Sequence, residues 1–219
     1  MNHLSLTTAE FERLLKVFGY LLGLLCLACF LVQWKCFHTP VASAAWKAFS
    51  SALGLGVLLF GVFTKVAWRW ERLAKWMSRP IVHGIWKGEL RSDFGAVDGN
   101  RLIIPIFFVI RQTYLTLSVQ SFTEHQEGES RLEALLKSSK TDTTRLCYVF
   151  ELRKLFSGAN SLTSGAGELK LAGDQLTLRG TYWTNTPTHG EIYLEHVTRN
   201  CEGVASFQDV QKRVQQTGP

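Results

Sequence analysis

Acidic residues are scarce in the first 82 residues, which carry three Asp and Glu against nine Lys and Arg. The remainder holds fifteen of each sign, so the whole excess of +6 belongs to the N-terminal part. Proteins that bind DNA or RNA concentrate positive charge on their folded domain. A neutral C-terminal part therefore argues against bulk polyanion binding, and neither nucleic acid is expected as a partner. Cysteine is sparse and scattered: Cys26, Cys29, Cys36, Cys147 and Cys201 make no disulfide framework, which fits a reducing compartment. Cys26 and Cys29 have redox spacing, but they sit in an apolar run where thiolate chemistry is suppressed, and they read as small apolar helix residues. Catalytic signatures are missing as well. The C-terminal part has no HxxxH, no CxxC and no GxxxxGK[ST]. His83, His125, His189 and His196 fall on different strand ends, and the last two differ by an odd number, which puts them on opposite walls of one strand. No metal site and no enzymatic activity are expected.

What is present is two long uncharged runs. Eighteen residues between Lys16 and Lys35 and seventeen between Lys47 and Lys65 carry no formal charge. Each spans about 26 Å as a helix, against a hydrocarbon core of about 30 Å. Trp34, Trp46, Trp68, Trp70 and Trp76 fall at or just beyond the ends of these runs, where aromatic belts form. A signal peptide is the alternative for the first run, but no small-residue cleavage pattern follows it. A buried helical hairpin in a soluble protein is the other alternative, and it leaves the tryptophans unexplained. Arg13, Lys16, Lys65, Arg69, Arg72, Lys75 and Arg79 flank the outer ends of the pair, against Lys35 and Lys47 in the connecting loop. That bias places both termini of a two-pass membrane protein in the cytoplasm. Gly19 and Gly23, with Gly54 and Gly56 on the second run, supply small residues for close helix packing in lipid, either within one hairpin or between hairpins.

From residue 83 onward the period changes to two. Strands are expected at 83–93, 101–111, 114–124, 130–138, 144–153, 167–172, 175–183 and 189–198. Leu146, Tyr148, Phe150 and Leu152 alternate with Arg145 and Glu151, and Leu176, Leu178, Gly180 and Tyr182 with Thr177 and Arg179, so one wall is apolar and the other wet. Eight strands with mostly short links favour an up-and-down, lipocalin-like β-barrel, because closure removes exposed edges. A two-sheet sandwich is the runner-up. The fold expected is a membrane-anchored all-β protein: tail 1–13, transmembrane hairpin 14–72 (helices at about 16–35 and 47–68), juxtamembrane linker 73–82, ligand-sensing barrel 83–200 and C-terminal tail 201–219. Phe207, Val210 and Val214 have helical spacing, for a short helix that packs on the barrel or frays.

Trp86, in the first strand, is placed to plug the end at which the chain arrives. At the opposite rim, strand direction gathers Asp93, Arg101, Arg131, Arg153, Lys154, Trp183 and His189 beneath long loops at 94–100 and 154–166, where Gly95, Gly99, Gly158, Gly165 and Gly167 permit close approach. Arg101, Arg131 and Arg153 offer planar donors for phosphate, and Tyr182 or Trp183 a face for a base.

Two membrane helices followed at once by a strand-rich domain that opens with Gly84-Ile85-Trp86-Lys87-Gly88-Glu89-Leu90 resemble the two-transmembrane β-strand-rich effectors of bacterial CBASS anti-phage systems. The resemblance covers residues 14–198. It implies an activating cyclic dinucleotide, made by a partner nucleotidyltransferase and bound by the barrel, followed by homo-oligomerisation, disruption of the inner membrane and death of the infected cell. No other cofactor is implied. A membrane-tethered carrier of a hydrophobic ligand and a protein-recruiting scaffold stay open as alternatives.

Overall fold

A computed structural model describes residues 4–38, 40–94, 101–138, 140–154, 163–186 and 188–217, the side chains of Cys36 and Lys154 excepted. They divide into two units: Thr7–Arg79, and a second made of the segment up to Leu6 with everything from Pro80 onward.

The first unit is a helical hairpin. Helix α1 (Thr8–Phe37) starts at Thr7, whose hydroxyl accepts from the Glu10 amide while the Glu10 carboxylate accepts from the Thr7 amide, and ends at His38 in the left-handed region (φ 51°). The reciprocal cap satisfies two amides that have no partner inside the helix. Helix α2 (Val41–Lys65) follows Pro40 and is succeeded by the short helix α3 (Glu71–Trp76). Both long helices are long and apolar enough to cross a membrane. They meet through Phe18, whose ring stands edge-on to Phe60 at 5.0 Å and Phe63 at 5.3 Å, and along a seam of buried Ala44, Ala48 and Ala52. Gly56 continues that seam, since a Cβ there would lie 3.1 Å from Leu22. Gly19, Gly23 and Gly54 do not belong to it, because a Cβ on any of them would meet nothing within 4 Å. The reason is angular. Residues four apart share a helix face, so Ala44, Ala48, Ala52 and Gly56 line up, while Gly54 points about 200° away from Gly56. Within the hairpin the close-packing role therefore passes from three of the four expected glycines to the alanines. Arg79 is buried, and its guanidinium meets the Glu10 carboxylate at 3.1 Å.

The second unit is a closed barrel of eight antiparallel strands in sequence order: β1 (Gly84–Ser92), β2 (Leu102–Gln112), β3 (Leu117–Phe122), β4 (Gln126–Lys137), β5 (Thr144–Lys154), β6 (Thr163–Leu171), β7 (Thr177–Thr184) and β8 (His189–Thr198). β8 pairs back onto β1 and closes the sheet. Strands β4 and β6 each begin four residues before the expected position. Gln126-Glu127-Gly128-Glu129 and Thr163-Ser164-Gly165-Ala166 are polar or small and read as loop, yet their backbones are fully paired with β5. Gly165, expected in a loop, and Gly167, expected at the first position of a strand, thus both lie inside β6, whereas Gly95, Gly99 and Gly158 lie outside the described residues.

Alternation fills the interior with Trp86, Ile106, Phe108, Ile110, Val119, Leu135, Leu146, Tyr148, Phe150, Leu169, Leu178, Tyr182, Ile192 and Leu194. A barrel of eight strands is about wide enough for its own side chains. At the end where the chain arrives, Gln112 clamps the incoming segment, its Oε1 accepting from the Val82 amide (2.8 Å) and its Nε2 donating to the Pro80 carbonyl (3.0 Å). The Ser5 amide donates to the Leu115 carbonyl (2.9 Å), and Leu4 bridges Thr116, so the residues just before α1 belong to the barrel. Helix α4 (Phe207–Thr217) covers an apolar strip of the outer wall, where Phe207, Val210 and Val214 pack with Ile85, Phe107, Val109 and Phe122.

Candidate functional site

Cross-strand partners point to the same side of a sheet, so strand register sorts every candidate side chain into the interior or the outer wall. Tyr182 is interior: it is buried and bonded to Ser92, and it pairs in register with Gly190. Burial raises its phenol pKa above the ordinary value, opposed by the Ser92 hydrogen bond. Trp183, its neighbour, faces outward and is 53% exposed.

The expected arginines all face outward as well. Arg101 donates to the Glu191 carboxylate at 2.8 Å. Arg131 holds Glu151 with Nε at 2.9 Å and Nη2 at 2.7 Å, which raises its own pKa. Because β4 begins at Gln126, Arg131 sits well down the outer wall, at a bulge between Ser130 and Leu132, and not at the rim. Arg153 is exposed near the end of β5, on the strand next to Glu127. Arg131 and Arg153 thus occupy one wall, and Arg101 and Trp183 belong to another. Of the five residues expected to hold the ligand near the rim, Arg101, Arg153 and Trp183 stand near that end but on different outer walls, Arg131 lies lower on the outer wall, and Tyr182 faces inward.

Interior chemistry is of a different kind. Trp86 is fully buried, its Nε1 donating to the Val82 carbonyl at 2.9 Å. Midway along the barrel, the Val119 amide donates to Ser130 Oγ (2.8 Å), and Ser130 Oγ donates to the Glu133 carboxylate. Glu133 pairs in register with buried Tyr148, so its side chain faces inward. Tyr148 has its phenol pKa driven well up by burial, with a smaller push from Tyr182. Hydroxyls, rings and one carboxylate line this space.

The outer wall shared by β7, β8 and β1 holds a groove of about 350 Å³, lined by Glu89, Arg91, Arg179, Gly180, Thr181, Glu191, Ile192 and Tyr193. Register explains the grouping: Arg179 lies across from Tyr193 and Tyr193 across from Glu89, while Thr181 lies across from Glu191 and Glu191 across from Arg91. The Arg179 guanidinium stands 4.7 Å from the Tyr193 ring centroid. The Tyr193 hydroxyl donates to Glu195 at 2.6 Å, and Arg91 meets Glu89 at 3.7 Å. At the rim of the same wall, His189 and Asp93 are joined at 2.7 Å. Gly88 permits the close approach of β1 to β8 in this wall, since a Cβ there would fall 1.8 Å from the Tyr193 carbonyl oxygen. Arg91, Arg179 and Tyr193 were not singled out from the sequence. The signal available was the alternation that already put Arg179 on the wet wall, with a flat ring among charges at Glu191, Tyr193 and Glu195.

Among the described residues no group of three or more His, Cys, Asp and Glu is placed to hold a metal ion. No protein-family model matches this chain. It is 20% identical over 133 residues, 61% of its own length and 70% of the relative's, to CD-NTase-associated protein 15 of Staphylococcus schleiferi. The similarity is to a protein named for its association with a CD-NTase, and the present chain carries two helices long and apolar enough to cross a membrane.

Proposed function

We propose that this chain is a membrane-anchored CBASS effector: its barrel binds a cyclic dinucleotide made by a partner nucleotidyltransferase, its hairpins then associate, and the inner membrane of the infected cell is disrupted. One observation carries the reading: two helices able to cross a bilayer run directly into a closed barrel, in a chain similar to a CD-NTase-associated protein. The role is that of a receptor and not of a catalyst.

The segments on both sides of the hairpin support a cytoplasmic barrel and N-terminus. Leu4 and Ser5 pair with Thr116 and Leu115, and the chain rejoins the barrel at Pro80, so an even number of crossings lies between two stretches of one folded unit. The basic residues at the outer ends of the hairpin select the cytoplasmic side. A carrier of hydrophobic cargo needs an apolar cavity, whereas the described interior is occupied by the protein's own leucines and aromatic rings.

The test uses the full-length protein in liposomes loaded with a self-quenching dye. A panel of cyclic di-GMP, cyclic di-AMP, cyclic GMP–AMP and cyclic di-UMP is added, with linear dinucleotides as controls. Release of dye and formation of cross-linkable oligomers with at least one cyclic member is the expected result. Neither binding nor release with any member, from protein that floats with the vesicles, overturns the proposal.

A further inference from the structure

We infer that the ligand site of this barrel is the outer-wall groove between β1, β7 and β8, where arginines grip a cyclic dinucleotide on the surface instead of enclosing it. The inference rests on the reading above and adds a place and a mode of binding to it. Such a ligand carries two phosphodiester anions and two flat bases, so it calls for fixed cations with planar surfaces beside them. The strand interior supplies neither arginine nor open planar surface. Every described arginine on the eight strands is at an outward register, the charged side chain facing inward midway along is the Glu133 carboxylate, and the interior rings are packed against one another.

The outer wall supplies both, and most densely here. On the outer wall of β4, β5 and β6, Arg131, Arg145 and Arg153 have, among the described residues, no aromatic residue at an outward register beside them, while Arg111 on β2 is spent on Gln120 and the Val204 carbonyl that leads into α4. In the groove Arg179 stacks on Tyr193 and, among the described residues, makes no ion pair. Its guanidinium plane offers a base a stacking surface, as arginine and tyrosine faces do for unpaired nucleotides. Arg91 and Arg101 are tied to Glu89 and Glu191 in exposed pairs, which hold weakly. A phosphodiester can replace each carboxylate, and the displaced carboxylates then face the N–H donors of the bases. A volume of about 350 Å³ lies within the range of ligand pockets, about 300 to 1,000 Å³. Trp183, exposed at the rim two positions beyond Thr181, adds a second flat surface.

The experiment is calorimetric titration of the full-length protein in detergent with the same panel of cyclic dinucleotides. R179A and Y193A are each expected to weaken binding about tenfold, the scale of one lost stacking or charged contact. R131A on the far wall and Y182F in the interior are expected to bind as wild type does. E191Q frees Arg101 from its competing carboxylate and is expected to tighten binding about threefold, a gain that misfolding does not produce. Wild-type affinity in R179A and Y193A overturns the groove assignment while leaving the receptor reading in place, as does loss confined to Y182F. Wild-type protein that binds no member of the panel overturns both.

Discussion

The Tyr148 ring lies over Gly167 across the β5–β6 ladder, so close that a Cβ on the glycine would come within 2.6 Å of it. Phe150 and Gly165 repeat the arrangement one step along the same ladder, where a Cβ would come within 2.5 Å of the ring. Glycines on β6 thus make room for rings on β5, and the rings shield bare backbone that would otherwise weaken the strand. Gly167→Ala is expected to lower stability by about 1–3 kcal/mol through overpacking, although alanine is the better residue on entropic grounds. Thermal unfolding of the detergent-solubilised protein measures it, and an unchanged midpoint would show that the ring moves aside freely.

Trp86 is fully buried in the barrel interior near the end where the chain arrives, edge-on to the His196 ring at 5.1 Å. Trp86→Ala is expected to cost about 3–5 kcal/mol by leaving a large cavity. Trp86→Phe keeps most of the volume but abandons the buried Val82 carbonyl, for about 1–3 kcal/mol. The graded order of the two variants, read by chemical denaturation, distinguishes a plug from a surface residue, for which both changes would fall below about 0.5 kcal/mol.

The barrel was legible in the sequence because eight half-buried strands each carry a period of two, and one slip would expose an entire wall. Leu146, Tyr148, Phe150 and Leu152 announce β5 without help. The starts of β4 and β6 were not legible, since Glu127 and Ser164 face outward and Gly128 and Gly165 have no side chain to count. That shift of four residues is what moved Arg131 from the rim to the outer wall. Site assembly was hidden for a related reason. Arg179, Tyr193 and Glu89 are neighbours only through the register of three strands, one of them nearly a hundred positions away in the chain, and no local pattern encodes register. Helix packing followed the same rule: the glycines drew attention, while the seam is set by the four-residue spacing of Ala44, Ala48 and Ala52.

That seam yields a contrast between two substitutions. Ala48 is fully buried against the partner helix, so Ala48→Leu is expected to force the helices apart and destabilise the hairpin by about 1–3 kcal/mol. A Cβ at Gly23 meets nothing, so Gly23→Leu is expected to leave the isolated hairpin intact. An intramolecular cysteine cross-link between the helices, formed in a monomeric detergent preparation, reports each outcome. If Gly23→Leu keeps that cross-link and loses ligand-induced oligomers, the glycine face works between molecules. Loss of the intramolecular cross-link instead would return Gly23 to the hairpin seam.

His196 gives the barrel a pH dependence whose sign follows from its surroundings. Burial, reinforced by the charge of Arg199, pushes its pKa down from 6.5 to about 4, and its Nε2 is buried with no hydrogen-bond partner among the described residues. The unfolded chain takes up this proton near 6.5, whereas the folded barrel resists until about 4. Between these values the unfolded state binds more protons, so stability rises with pH. The contribution is fully present above about 6.5 and is lost as the pH falls towards 4. His196→Leu removes the ring that titrates, and is expected to flatten the unfolding midpoint between about pH 5.5 and 6.5, a window above the range where carboxylates titrate. The same slope in the variant as in the wild type would assign the effect to another group. A flattened slope would leave the neutral His196 ring as part of the packing that holds Trp86 in place.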